Sequence, residues 1–230
     1  MTTRNDRIRS IAALEAHLGH SFSDPALLEE ALAHRSWCAE AGGRPSNERL
    51  EYLGDAVLGW VVAELAFRRH LDVAEGRLTD LRKSVVNATT LAAVAAEIGL
   101  GPCLLLGRGE DAAGGRHKPS ILSDALEAVV GAVYLDAGVD AVFGVVDRLL
   151  GGRMASARSD HKTALQEVVA RRGDDVPMYA IVESGPDHDK HFTATVAVGG
   201  RVLGEGAGRS KKAAEQQAAA RALEALDEGG

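Results

Sequence analysis

The sequence predicts an all-α domain followed by a small α+β domain with the element order α-β-β-β-α. The chain of 230 residues is 46% hydrophobic but only 4% aromatic, and this balance favours helices that pack through small aliphatic side chains. Apolar residues recur at helical spacing from residue 8 to about 150, and an alternating pattern typical of strands follows. A chain of this length can hold two domains, each with its own core.

Two helices of the first domain carry long apolar stripes. The stripes consist of Leu50, Leu53, Val57, Leu58 and Val61 in one helix, and of Leu122, Leu126, Val129, Val130 and Val133 in the other. Residues at these spacings lie on one side of an α-helix, so we expect each helix to be buried on that side. Turn segments at 41–45, 75–76 and 107–119 separate the helices.

A stretch rich in glycine and serine separates the two predicted domains. We place the helical domain at residues 1–150, a linker at 151–159 and the second domain at 160–228. The patterns of the second domain predict a helix at 161–172, strands at 178–184, 191–198 and 201–206, and a helix at 210–226. Turns at 185–189 and 199–200 join these strands.

Charge and composition limit the partners and the compartment. The net charge of −7 means that any nucleic-acid site must be a local basic patch. The N-terminus does not have the order of a secretory signal, and residues 56–67, an apolar stretch, are too short to span a bilayer, so we expect a soluble, cytoplasmic protein without a membrane partner. Cys38 and Cys103 lie in no metal-ligand spacing and are expected to be reduced packing residues.

Three acidic residues of the first apolar helix share one face. They occur at i, i+3 and i+7, and are Glu48, Glu51 and Asp55. Their like charges repel, and no Lys or Arg at i+4 neutralises them. A solvated polar face is one interpretation of this pattern, and a face that binds a divalent cation is the other.

The second apolar helix carries an acidic pair, Asp124 and Glu127, at i and i+3. Both acids are surrounded in sequence by apolar residues, and partly buried carboxylates need a partner. An alternative is an N-terminal pair that the helix dipole stabilises, because Pro119 and Ser120 make a plausible helix start.

Together the two helices supply a cluster of carboxylates without an accompanying histidine. Such hard oxygen ligands favour magnesium, with manganese as a substitute, over zinc. A site of this kind suits phosphodiester hydrolysis. A di-iron bundle would need Glu-x-x-His pairs, and none of the eight histidines has Glu three residues before it. The glycine-rich run 107–119 lacks the spacings of nucleotide-binding loops, so we expect a loop there and no nucleotide cofactor.

The segment NERLEYLGDAVL at 47–58 closely resembles the signature of the ribonuclease III family. Further blocks agree in order, namely HRS at 34–36, the segment 75–82, SILSDALEA at 120–128 and GAVYLD at 131–136. The resemblance covers nearly the whole chain. It implies metal ligands at Glu51, Asp124 and Glu127, catalytic acids at Asp55 and Glu127, and auxiliary acids at Glu48 and Glu75.

Residues after 160 resemble the double-stranded RNA-binding domain over its full length. The resemblance implies RNA contacts at Thr163, Gln166, Glu167, His188, Lys211 and Lys212. The first three would reach 2′-hydroxyls of a minor groove, His188 the next minor groove, and the two lysines the phosphates. Acidic residues dilute the positive field here, so we expect modest, salt-sensitive affinity.

The family resemblance also implies an activity and an assembly. It implies a homodimer through the helical domain, whose two sites cut opposite strands of duplex RNA. The products would carry 5′-phosphate and 3′-hydroxyl ends with short 3′ overhangs, and the roles would be ribosomal RNA maturation and messenger RNA processing or decay. One alternative is a protein that holds duplex RNA without cutting it, which the intact acid set disfavours. A hydrolase of small substrates is another, and the RNA-binding domain disfavours it.

Overall fold

The computed structural model describes residues 4–71, 73–158, 161–186 and 190–228. The chain divides into two compact units, Met1–Ala155 and Ser156–Gly230. The first unit is helical, and the second contains three antiparallel strands between two helices. The predicted fold class is therefore confirmed.

The first unit is built from eight α-helices and two short 3₁₀ turns among its described residues. The helices are α1 (Arg4–Leu18), α2 (Pro25–Ala31), α3 (Arg35–Glu40), α4 (Glu48–Arg69), α5 (Glu75–Val85), α6 (Ala88–Glu97), α7 (Arg108–Ala112) and α8 (Pro119–Arg158). The 3₁₀ turns are Gly101–Cys103 and Gly115–His117. The glycine-rich run 107–119 was expected to be a loop, and α7 and the second 3₁₀ turn occupy much of it.

Side chains that accept hydrogen bonds from the first turn mark several helix starts. Asp24 accepts from the backbone N–H of Ala26 at the start of α2, and Asn87 accepts from Thr90 at the start of α6. Helix α8 begins with Pro119, whose fixed φ and missing N–H suit the first helical position. These local signals mark the starts of α2, α6 and α8.

Helix α8 forms the centre of the first core. Ala125, Val129 and Val133 are fully buried, and the helical pattern is interrupted at Gly138, where φ is 78° and ψ is −161°. By length and composition Pro119–Ala155 could cross a membrane, but a buried core helix passes the same test. This helix is longer than the apolar stretch 56–67, and its place in the core accounts for its apolar composition.

Helix α8 continues to Arg158, so residues 151–158 are helical. The sequence assigned these residues to a linker, whereas the division between the compact units falls between Ala155 and Ser156. The domain limits at 1–150 and 160–228 stay a prediction.

The second unit packs two helices on one face of a sheet. Its elements are α9 (His161–Arg172), β1 (Met178–Ser184), β2 (His191–Val198), β3 (Arg201–Gly208) and α10 (Lys211–Glu228), and the sheet order is β1-β2-β3. Tyr179 pairs with Val196, and Thr193 pairs with Ala207. Helix α10 packs closely on β3, since a Cβ atom at Gly204 would lie 2.3 Å from the carbonyl oxygen of Ala218.

The core of the second unit joins α9, β2 and α10. Leu165, Val169, Ala194, Val196 and Ala218 are buried in it. Helix α9 and the first two strands have the predicted bounds. The third strand is two residues longer than predicted, and the last helix runs from 211 to 228 instead of from 210 to 226.

Candidate functional site

Three carboxylates from two helices converge in the first unit. Glu51 lies on α4, and Asp124 and Glu127 lie on α8. One oxygen from each lies within 4.8 Å of the others, and all three residues are partly buried. The structure therefore brings together the three residues for which the family resemblance implied metal binding.

Two glycines allow the backbones of α4 and α8 to approach at this point. A Cβ atom at Gly54 would lie 1.8 Å from the carbonyl oxygen of Glu127, and one at Gly131 would lie 2.5 Å from that of Leu50. No larger residue fits either position without moving a helix. Because Gly54 is one turn from Glu51 and Gly131 is one turn from Glu127, this contact determines how closely the carboxylates approach.

The cluster carries negative charge that no cation of the described residues fully offsets. Burial, together with the charges of Asp55, Asp124 and Glu51, raises the pKa of Glu127 to about 7. Burial also raises the pKa of Glu51, and Asp124 and Glu48 add to the effect. A bound divalent cation would remove this repulsion.

The second pair of acids lies beyond the first turn of α8. The dipole of a helix acts mainly within its first turn, so it does not explain Asp124 and Glu127, which follow Pro119 by five and eight positions. The buried Ser123 hydroxyl lies 2.9 Å from the Ser120 carbonyl oxygen and 3.1 Å from Asp124 Oδ1, and can donate to either. The Asp124 carboxylate is thus oriented by its own helix.

The other predicted acids lie outside this three-carboxylate group. Asp55 is exposed on α4 and acts on the group through its charge. Glu75 is exposed at the start of α5 and accepts a hydrogen bond of 2.9 Å from the Thr79 hydroxyl. The catalytic role of Asp55 and the auxiliary role of Glu75 stay predictions.

Glu48 has a cationic neighbour that the sequence did not indicate. Arg35 Nη1 on α3 lies 3.7 Å from its carboxylate, and the Ser46 hydroxyl donates to the carboxylate at 2.7 Å. The i+4 positions of α4 give no sign of Arg35, which reaches Glu48 from another helix. Glu48 has no Lys or Arg at i+4, as stated from the sequence, and its cationic neighbour comes from outside α4. Its auxiliary role stays a prediction.

The ligand chemistry of the group fits a hard divalent cation. Carboxylate oxygens are the ligands that magnesium and manganese prefer, and the group contains no histidine or cysteine. The two cysteines are free and buried, as expected. The ligands would be Glu51, Asp124 and Glu127.

In the second unit, predicted RNA-binding residues border one open groove. Thr163 and Gln166 on α9 and Lys212 on α10 line it, together with Tyr179 at the start of β1. Lys211 is exposed beside it, and its Nζ lies 6.0 Å from the centre of the Phe192 ring.

The remaining predicted contacts are not among the described residues that line the groove. Glu167 is partly buried and is absent from the described lining of the groove. His188 lies outside the described residues. Lys162, which the sequence did not single out, is part of the groove lining. The RNA contacts stay predictions.

Comparison with known families gives a separate result for each unit. Residues 24–152 match the Ribonuclease-III-like family model, and residues 161–226 match the double-stranded RNA binding motif. The first match covers more than half of the chain and contains all six predicted acids. The second contains all six predicted RNA contacts.

Relatives resemble this chain over most of its length. It is 54% identical over 210 residues to Ribonuclease 3 of Nocardia farcinica, with 88% of each chain covered. It is 49% identical over 228 residues to Ribonuclease 3 of Mycobacterium bovis, covering 96% of this chain and 95% of the relative. The solved nuclease domain of ribonuclease III from Campylobacter jejuni is 43% identical, with a TM-score of 0.58 over 62% of this chain and 95% of that domain. The chain belongs to the ribonuclease III family of double-strand-specific endoribonucleases.

Proposed function

We propose that this protein hydrolyses phosphodiester bonds of duplex RNA with a magnesium ion, or manganese in its place, held by Glu51, Asp124 and Glu127. The convergence of these carboxylates within 4.8 Å carries the proposal. The products are 5′-phosphate and 3′-hydroxyl ends.

The side chains of the centre have distinct tasks. When bound, the divalent ion makes a water molecule a better nucleophile and stabilises charge on the leaving oxygen. Glu51 and Asp124 supply negative ligands, and Glu127, with a pKa of about 7, gives up its proton near neutral pH as the cation binds. Asp55 lies close enough to raise that pKa, and it is the remaining catalytic acid.

The second unit holds the duplex while the first unit cuts it. Thr163, Gln166 and Glu167 contact ribose hydroxyls in a minor groove, and His188 reaches the next one. Lys211 and Lys212 contact phosphates at the start of α10. The match of residues 161–226 to the double-stranded RNA binding motif supports this role.

The proposed enzyme is a homodimer through its helical domain. Helix α4 exposes Tyr52, Trp60 and Phe67, whose spacing places them along one helical face, and Leu135 on α8 is also half exposed. A structure of the Campylobacter jejuni nuclease domain concerns structural flexibility in a region involved in dimer formation. Two sites in a symmetric dimer cut opposite strands, which gives short 3′ overhangs.

The cellular role that we propose is maturation of ribosomal RNA and processing or decay of messenger RNA in the cytoplasm. The family membership of the chain supports this role. When the protein is depleted, longer, uncut precursors of ribosomal RNA are expected to accumulate, and northern analysis would detect them. Unchanged precursors would contradict the proposed role but not the chemistry.

The decisive experiment uses a long RNA duplex labelled at one 5′ end. Purified protein is incubated with it in magnesium, in manganese or in chelator, beside a single strand of the same sequence. Cleavage is expected only for the duplex and only with metal, with products that polynucleotide kinase labels only after dephosphorylation. An uncut duplex that is nevertheless bound would instead favour an RNA-holding protein.

A further inference from the structure

In the second unit, Lys162 directs its charge towards a carboxylate of the neighbouring helix. Lys162 lies on α9 next to Thr163, and its Nζ is 2.7 Å from Glu215 Oε2 on α10. The same Nζ lies 4.6 Å from the centre of the Tyr179 ring. With side-chain exposures of 34% and 19%, Lys162 and Glu215 form a partly buried pair, which solvent screens less than a surface pair.

A backbone hydrogen bond adds to this pair. The N–H of Lys162 donates to Gln216 Oε1 at 3.2 Å. The next residue of α10, Gln217, accepts from the N–H of Ala207 on β3 at 2.7 Å. Three consecutive residues of α10 therefore hold α9 on one side and β3 on the other.

These contacts join the two sets of proposed RNA contacts. Thr163 follows Lys162 directly on α9, and Lys212 lies one turn before Glu215 and Gln216 on α10. Thr163, Lys212, Lys162 and Glu215 line the same groove. The Lys162–Glu215 pair therefore joins the two helices at the point between the proposed minor-groove contacts and the proposed phosphate contacts.

We propose that Lys162 is a positioning residue, paired with Glu215, that sets the spacing between the two RNA-contacting helices and does not itself bind phosphate. The proposal rests on the proposed binding of duplex RNA. Among the described residues, Lys211 and Lys212 form no ion pair, so their charges are available to phosphates. Lys162 contributes geometry, whereas Lys211 and Lys212 contribute charge.

Salt dependence separates these two roles, because each phosphate contact adds about one to the slope of log affinity against log salt. The experiment measures binding of the full-length protein to a duplex of about 20 base pairs, without metal, at several salt concentrations. The variants are Lys162→Met, Glu215→Gln, the charge-reversed double variant Lys162→Glu with Glu215→Lys, and Lys212→Ala as the phosphate-contact control.

A positioning role predicts that Lys162→Met and Glu215→Gln each weaken binding roughly three- to tenfold with the salt slope unchanged. The charge-reversed double variant should regain most of the affinity, because it restores the pair. Thermal unfolding by circular dichroism verifies that each variant is folded, and the conservative Glu215→Gln remains informative if Lys162→Met is not.

A phosphate-contacting Lys162 would give a different pattern and would overturn the proposal. Lys162→Met would then lower the salt slope by about one, and Glu215→Gln would strengthen binding by releasing the lysine. Unchanged affinity in both single variants would also overturn it. Failure of the wild-type protein to bind duplex RNA would instead reject the proposed function.

Discussion

The metal centre of the first unit and the RNA-binding groove of the second have opposite charges. The first presents the carboxylates of Glu51, Asp124 and Glu127, which repel a phosphate backbone until a cation binds. The second presents the exposed Lys211 and Lys212, for which we propose direct attraction of phosphates. Under the proposed function, this difference lets an acidic chain act on RNA: one unit attracts RNA without metal, and the other cuts only with it.

The two sites are also held together by different means. Backbone contact at Gly54 and Gly131 brings together the helices of the carboxylate group, whereas a side-chain ion pair, Lys162–Glu215, joins the helices that line the groove. A side chain can change its rotamer to accommodate a substitution, but packed backbone atoms cannot move in this way. Substitutions should therefore have large effects in the first unit and graded effects in the second.

The largest expected effect is on cleavage. Glu127→Gln keeps the shape of the side chain but removes a charged ligand, and should lower kcat at least about 100-fold, since even loss of a residue behind a metal ligand costs 10–100-fold. Binding of duplex RNA without metal should not change. Initial rates measure cleavage and filter binding measures affinity. The control is Asp140→Asn, which changes an exposed acid of α8 beyond the interruption at Gly138. Equal losses of cleavage and of binding would contradict the prediction, because they would mean that RNA binding depends on the carboxylate group of the first unit.

The next effect is on stability of the first unit. Gly54→Ala places a methyl group against the Glu127 carbonyl and should destabilise this unit by about 2–3 kcal/mol. Gly59→Ala on the same helix meets no atom within 4 Å and should be neutral or stabilise by up to about 1 kcal/mol. Urea unfolding measures both variants. Similar midpoints would show that the helix contact is not tight.

A smaller effect is expected in the groove. Lys211→Ala combined with Lys212→Ala should weaken duplex binding about tenfold or more at moderate salt and lower the salt slope by about two. Arg221→Ala, an exposed cation further along α10, is the matched control. A salt titration of binding decides the question. The hypothesis fails if the control lowers the slope as much as the lysine variant.

The smallest effect is a pH dependence of the metal-free protein. The pKa of Glu127 rises from 4.5 to about 7 on folding, so the folded state holds an additional proton between these values. Its free energy of unfolding should therefore decrease as pH rises through this window, by about 1–2 kcal/mol after allowance for partial solvent screening. Urea unfolding at pH 5 and pH 8 should show a smaller decrease for Glu127→Gln. A decrease of equal size would assign it to other groups.

Much of the fold was predictable because local patterns determine it. Helix α9 and strands β1 and β2 have the predicted bounds, since alternation and helical spacing are properties of neighbouring residues. Strand β3 continues to Gly208, and its Ala207 pairs with Thr193. A segment rich in glycine has only a weak preference for the strand conformation, so close packing against α10 decides the length of β3.

The site was predictable only in part, because contacts between distant segments complete it. Helical spacing placed acids on one face of each helix, but the crossing of α4 and α8 decides that Glu51, and not Glu48, joins Asp124 and Glu127. Arg35 reaches Glu48 from another helix, and Lys162 pairs with Glu215 across 53 residues. Single-sequence patterns contain no signal for such pairs.

The glycine contact between α4 and α8 has a consequence for ion selectivity. Magnesium and calcium bind oxygen at about 2.0–2.1 Å and about 2.3–2.6 Å, so a change of a few tenths of an ångström between carboxylates favours one ion over the other. A methyl group at Gly131 would separate the two helices by more than a few tenths of an ångström. The two glycines therefore determine the distance between the carboxylates, and with it the size of the ion that fits. Enlarging either one should shift the preference towards calcium, an ion that polarises water less strongly.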